Sequence, residues 1–282
     1  MLVPGSTSQS LVAALAAETG RPLATPTFDR FPDGEICAAV PEFEGDTATV
    51  VAATTSNDAL VELLQLQDAV REAGATDVTT VIPYMGYARQ DRSFSDGQPV
   101  SARAAARAVS TGTDRVVLVD PHEPAVADFY DVSTTVVSAA PLLADPLGDL
   151  TEPLFLAPDE GATELAERTR DAYGRGETDF FHKERDYDTG DVEIEPSDAS
   201  VTGRDVVIVD DIVATGSTMS EAVAALCDRD PNRIVTACVH PMLTGSARTK
   251  LAAAGVDRVI GTDTIERAVS TVSVAPVVAD VL

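Results

Sequence analysis

Two tandem α/β units, each a mainly parallel sheet flanked by helices, are predicted by three features of this 282-residue sequence. Short continuous runs of Val, Ile and Leu recur along the chain, as they do in strands buried on both faces. Helical patterns of about 10–15 residues separate these runs, which is the spacing of crossover connections. The order strand, helix, strand, loop occurs in both halves and reads as an internal duplication.

In the first half, residues 49–53 form an apolar strand candidate and residues 59–73 carry apolar side chains at helical spacing. Thr76 and Asp77 lead into a strand over 78–82, followed by an alanine-rich helix over 100–109 and a strand over 115–119. Pro141, Pro146 and Gly148 punctuate the chain, so the boundary is placed at 141, giving domains 1–141 and 142–282. In the second half, strands are expected over 154–157, 205–209, 234–239 and 258–260, with helices over 162–173, 218–226 and 246–254. From Thr271 polar and apolar residues alternate before Pro276, as in a tail that returns to the first domain. Residues 174–200 differ from both halves: Gly174, Gly176 and Gly190 interrupt a dense charge run with little apolar period. A flap is expected there, with Val192 and Ile194 in a short strand.

Hydrophobic residues make up 44% of the chain, the composition of a globular protein. No charge-free apolar run reaches the roughly 18–20 residues of a spanning helix, and residues 1–10 lack the basic and apolar regions of a signal peptide. The cytoplasm is therefore the expected compartment. Acidic residues number 46 against 20 basic ones, a net charge of −26, and the only lysines are Lys183 and Lys250. A field of that sign repels nucleic acid and anionic membranes, so neither is an expected partner. Its self-repulsion is screened by salt, which points to a salt-rich, halophilic cytoplasm. Cys37, Cys227 and Cys238 have no metal-site spacing and are read as buried thiols in a reducing compartment.

The most informative segment is VVIVDDIVATGSTM, residues 206–219. An apolar strand is followed by Asp210 and Asp211, then by a Gly/Thr/Ser turn that opens a helix. Successive backbone N–H groups at a helix start can surround a phosphate. Thr215, Ser217 and Thr218 add hydroxyls, and Gly216 lets the backbone approach closely. Two acids beside a phosphate must face something other than the anion; the vicinal hydroxyls of a sugar, or a bridging divalent cation, suit them. A Walker-type loop is excluded, because its lysine-bearing glycine loop is absent.

This segment resembles the ribose-phosphate loop of the phosphoribosyltransferase-like fold. Arg30-Phe31-Pro32-Asp33-Gly34-Glu35, VIPYMGYARQDR over residues 81–92 and Val119-Asp120-Pro121-His122 are similar to motifs of the ribose-phosphate pyrophosphokinase family, of an archaeal halophilic type. The resemblance implies two tandem phosphoribosyltransferase-like domains, ATP and ribose 5-phosphate as substrates, and Mg²⁺. The 206–219 loop alone also fits transferases that consume the activated sugar. A non-catalytic regulatory homologue is the other alternative.

Phe31 can stack on a purine and Asp33 and Glu35 can accept from it, although a core plug and a turn former are the plainer readings of Phe31 and Asp33. By resemblance this turn reaches the adenine site of a neighbouring subunit, making a homo-oligomer, at least a dimer, the catalytic unit. Arg89 offers a planar fork for phosphate and Gln90 can bridge to base or ribose; the family's matching residues contact ATP. His122 matches a magnesium-binding histidine, with Pro121 where the family usually has leucine. Asp159, in Ala-Pro-Asp-Glu-Gly, resembles an aspartate facing ribose phosphate and a second cation, although Glu160 departs from the family's small residue. His182 and His240 are assigned no chemistry.

Lys183 and Arg185 match the Lys-x-Arg pair of the family's catalytic flap, whereas Lys250 reads as ordinary helix surface. The chemistry implied is attack of the ribose O1 hydroxyl on the β-phosphorus of ATP, with Lys183 and Arg185 meeting the charge that develops. The general base stays open between metal polarisation of O1 and a nearby aspartate.

Overall fold

The computed structural model describes residues 1–185, 192–195 and 199–282, and for 182–185 and 192–195 it describes the backbone alone. The chain divides into two compact units, one of residues 1–138, 263–266 and 273–282, the other of residues 139–262 and 267–272.

The first unit contains β1 (Leu2–Pro4), α1 (Gln9–Thr19), β2 (Thr27–Arg30), β3 (Ile36–Ala39), β4 (Thr47–Val51), α2 (Asn57–Glu72), β5 (Asp77–Ile82), α3 (Ser101–Ser110), β6 (Arg115–Val119) and β7 (Ser133–Val137). One parallel sheet runs β1-β4-β5-β6-β7. The runs Val50–Val51 and Val116–Val119 are buried on both faces, and each such side chain contributes about 1.5–3 kcal/mol. Ser56 starts α2 by accepting the Ala59 N–H at 3.1 Å, with Asp58 complementing the dipole in the first turn.

β2 and β3 form a separate antiparallel hairpin. This hairpin, β1, α1 and β7 are additions to the sequence expectation. β7 reads Ser-Thr-Thr-Val-Val and lies at the sheet edge, half-exposed, so it carries no continuous apolar run.

The second unit contains β8 (Leu154–Ala157), α4 (Thr163–Tyr173), β9 (Glu177–Phe180), β10 (His182–Arg185), β11 (Val192–Glu195), β12 (Asp205–Ile212), α5 (Ser217–Cys227), β13 (Arg233–His240), α6 (Ala247–Ala254), β14 (Arg258–Thr262) and β15 (Ser270–Val272). Its parallel sheet has the order β15-β14-β13-β12-β8-β9. The last helix, α7 (Ala275–Ala279), belongs to the first unit, where Arg21 donates to the Leu282 carbonyl at 2.7 Å.

β12 is longer than the expected 205–209. Asp210 pairs with Cys238 and Ile212 with His240, so both acids lie on the strand instead of after it. Backbone pairing with β13 continues beyond the apolar run 206–209 to the buried Ile212, because a central strand's length is set by its neighbours' hydrogen bonds. Val192 and Ile194 do lie in a strand, β11, which pairs with β10 so that Lys183 faces Ile194 in the register. The expectation of buried thiols holds for Cys238 only; Cys37 and Cys227 are exposed. No helix among the described residues is long and apolar enough to cross a membrane.

Candidate active site

In the second unit the chain leaves β8 outward to β9 and returns to β12 on the other side of β8. A reversal of strand order leaves a crevice beyond the carboxyl ends of the two strands. The candidate residues of this unit stand at those two ends. Asp210 and Asp211 are the half-buried last acids of β12. Asp159 follows β8 and caps a short 3-10 turn, its Oδ1 accepting the Gly161 N–H at 3.1 Å.

Beyond β12 the chain turns through Val213–Gly216 into α5. Gly216 has φ 74°, the left-handed region, and a Cβ there would come within 3.3 Å of the Ala247 carbonyl oxygen. The conformation favours glycine at this point, and the space beside it is tight. The turn is stitched to the segment after β13: the Leu243 N–H donates to the Val213 carbonyl at 2.9 Å and the Thr244 N–H to the Ala214 carbonyl at 2.9 Å. The Val213 N–H in turn donates to the carbonyl of the buried His240 at 3.2 Å. Thr215 Oγ1 lies 3.3 Å from Ser217 Oγ, which brings the hydroxyls to the start of α5. With Gly216 and Thr218 they border a helix N-terminus, whose first N–H groups have no partner within the helix.

The nucleotide candidates lie in the first unit. Phe31, Asp33 and Glu35 occupy the exposed tip of the β2–β3 hairpin, closed by the Phe31 N–H donating to the Glu35 carbonyl at 2.8 Å. Phe31 is 49% exposed, which removes the core-plug reading. Asp33 shapes the turn by accepting the Glu35 N–H at 3.1 Å. Arg30 braces the tip through the Gly34 carbonyl at 2.7 Å and an ion pair with Asp58 of α2. Gln65, also of α2, holds β3 by bonding the Ile36 carbonyl at 2.9 Å and the Ala38 N–H at 2.8 Å.

Arg89 and Gln90 follow β5, and His122 follows the adjacent β6, so they come from the same carboxyl edge. Gly86 lets the first of these loops pass Thr54, whose carbonyl oxygen would be 2.2 Å from an added Cβ. Arg89 and His122 are exposed. Gln90 is engaged locally: its Nε2 donates to the Pro99 carbonyl at 3.3 Å, and its Oε1 accepts from the Ser101 hydroxyl at the start of α3. Lys183 and Arg185 are placed as backbone of β10, and their side chains lie outside what the structure describes.

Asp159, Asp210 and Asp211 form an electrostatic group. The carboxyl of Asp210 is held well above the ordinary carboxylate range, first by burial and then by the charge of Asp211, with Asp159 adding to both. Among the described residues, no three His, Cys, Asp or Glu side chains converge on one cation position. This oxygen-rich, mutually repelling set fits magnesium, which takes one or two carboxylates and completes its shell with water and substrate phosphates.

Known proteins match the chain over both units. The N-terminal domain of ribose phosphate pyrophosphokinase matches residues 1–112 and the phosphoribosyl transferase domain matches residues 138–275. The ribose-phosphate pyrophosphokinase of Halobacterium salinarum is 60% identical over the whole of both chains. The chain belongs to the ribose-phosphate pyrophosphokinase family. The Methanopyrus kandleri ribose-phosphate pyrophosphokinase is 43% identical over 94% of this chain and 92% of its own. The crystal structure of phosphoribosylpyrophosphate synthetase from Mycobacterium smegmatis has a TM-score of 0.85 at 28% identity, covering 100% of this chain and 96% of that one. A transferase built on one such unit does not account for a match of this length.

Two contacts beside the candidate residues join positions far apart in the sequence. Arg30 was quoted in its motif without a role, and no local pattern pairs it with Asp58. Lys250 is exposed on α6, as expected of helix surface, and its Nζ in addition lies 3.2 Å from Ser217 Oγ in the turn after β12. Its rarity was the available signal.

The raised Asp210 carboxyl carries a prediction about stability. A carboxyl with a raised folded-state pKa holds a proton that the unfolded chain releases, so its contribution to stability is lost as pH rises through that value. Asp210→Asn keeps the shape and removes the charge. It is expected to raise Tm at pH 7 by roughly 2–4 °C, the effect of about 1 kcal/mol in a chain of this size, while impairing use of the sugar phosphate. The gain should shrink toward about pH 4, where the wild-type group is protonated. Thermal unfolding of both proteins across that range is the measurement; an unchanged or lowered Tm at pH 7 counts against the repulsion.

Proposed function

We infer that this protein transfers the pyrophosphoryl group of Mg-ATP to O1 of ribose 5-phosphate, yielding 5-phosphoribosyl 1-pyrophosphate and AMP. The observation that carries this reading is the phosphate turn and acid pair at the reversal of strand order, in a chain 60% identical throughout to a ribose-phosphate pyrophosphokinase.

Ribose 5-phosphate sets its phosphate against Thr215, Gly216, Ser217 and Thr218 and its 2- and 3-hydroxyls toward Asp210 and Asp211. ATP is bound by Arg89 and Gln90, with Phe31, Asp33 and Glu35 supplied by a second copy of the chain. The exposed position of the hairpin tip supports that division of labour, under which a dimer is the minimal catalytic unit. For ATP to use its amide, Gln90 must exchange its bonds to Pro99 and Ser101. The O1 hydroxyl attacks the β-phosphorus and gives up its proton, the bond between the β-phosphorus and the α–β bridging oxygen breaks, and AMP departs with that oxygen. Lys183 and Arg185 close over the transferring group, meet charge on its non-bridging oxygens and exclude water. His122 would hold the magnesium carried by the triphosphate, and Asp159 a second cation at the ribose phosphate. When bound, the ion neutralises phosphate charge and orients the phosphate oxygens.

Purified protein in high salt with Mg-ATP and ribose 5-phosphate should yield AMP and the 1-pyrophosphorylated sugar in equal amounts, as read by ³¹P NMR and nucleotide chromatography. ADP as the sole nucleotide product would indicate transfer of a single phosphoryl group and overturn the reading.

A further inference from the structure

Lys250 lies on α6, over thirty residues beyond the turn that holds Ser217. Its Nζ nonetheless reaches Ser217 Oγ at 3.2 Å, and Ser217 Oγ in turn lies 3.3 Å from Thr215 Oγ1. The approach follows from the packing of α6. Ala247, the first residue of that helix, lies against Gly216, its carbonyl oxygen 3.3 Å from where a Cβ would stand, and Lys250 lies one turn further along. Among the described ion pairs none involves Lys250, in a chain where acids exceed bases by 46 to 20. An exposed ammonium in such surroundings has many carboxylates to meet. This one is directed at a hydroxyl of the turn.

Resting on the ribose 5-phosphate reading of that turn, we propose that Lys250 is a substrate-binding residue whose ammonium contacts the 5-phosphate. The turn by itself offers dipoles and hydroxyls only, and both acids of the site oppose an incoming anion. A point charge at Ser217 supplies the cation that the turn lacks, and a compact ammonium with three donors can hold a phosphate oxygen and Ser217 Oγ together. The role is binding and not chemistry, because the 5-phosphate is remote from O1. Lys250 therefore acts on the affinity for the sugar phosphate and leaves turnover at saturation nearly unchanged.

The test compares wild type with Lys250→Met and Lys250→Arg, both of which preserve a helix-favouring side chain. Met is expected to raise KM for ribose 5-phosphate about tenfold, with kcat and the KM for ATP within about twofold. Arg should recover most of the loss, and Tm should stay within about 2 °C for both. Calorimetric titration of each protein with ribose 5-phosphate, without ATP, should show the same weakening in Kd. An unchanged KM and Kd in Lys250→Met would overturn the proposal. So would a loss that Arg does not repair, or equal losses for both substrates, since those mark a structural role. A wild type that binds ribose 5-phosphate more tightly than Lys250→Met but forms no 1-pyrophosphorylated sugar would sink the proposed reaction and sustain the role of Lys250. An active wild type with an indifferent variant would do the reverse.

Discussion

Lys183→Ala is expected to lower turnover at least about a hundredfold, equivalent to roughly 2.7 kcal/mol of transition-state stabilisation, with KM for both substrates changed by no more than about threefold. The reasoning is electrostatic. Pyrophosphoryl transfer asks little covalent work of the protein, so catalysis comes from positioning and from meeting charge that develops on phosphate oxygens. A cation brought up by a flap makes its strongest contact when that charge is greatest, and such contacts appear in kcat more than in KM. Chain composition sharpens the expectation, since only two lysines occur among 282 residues and one stands here. Steady-state kinetics with both substrates varied would decide it. Near-normal turnover in the variant would remove Lys183 from the mechanism.

Asp211→Ala is expected to raise KM for ribose 5-phosphate by about thirtyfold or more, while KM for ATP stays within about threefold. A carboxylate that accepts from a sugar hydroxyl forms a charge-assisted bond, and its removal leaves that hydroxyl unpaired in a crevice. Asp211 also accepts the Ile212 N–H at 2.7 Å, so the strand end loosens slightly in the variant. Asp211→Asn, which keeps an acceptor there, separates the two effects: it should retain the fold and still bind the sugar phosphate poorly. Equal losses for the two substrates would instead indicate a structural or shared-metal role for the acid.

Much of this architecture was legible in the sequence because the second unit's sheet is built from runs such as Val206–Val209, whose burial on both faces leaves an unambiguous apolar signature. The segments that escaped notice are those for which this physics does not hold. β9 reads Glu-Thr-Asp-Phe at the edge of its sheet, and β2 is exposed along its length, so neither needs apolar side chains. The turn after β12 was readable because its constraints are local: a left-handed glycine, hydroxyls and a helix start within a few residues. The bracing of the hairpin tip by Arg30 and Asp58, and the approach of Lys250 to Ser217, depend on residues 28 and 33 positions apart in the chain. No spacing rule reports contacts of that range.

The stitching of Val213 and Ala214 to Leu243 and Thr244 has a consequence for recognition. Ordering a free backbone costs about 1–2 kcal/mol per residue at the moment a ligand is captured. In this turn that cost is met during folding, because carbonyls of two of its residues are already bonded to the following strand's continuation. In the proposed reaction the turn therefore meets its anion with a shape that already stands, in the manner of a mould.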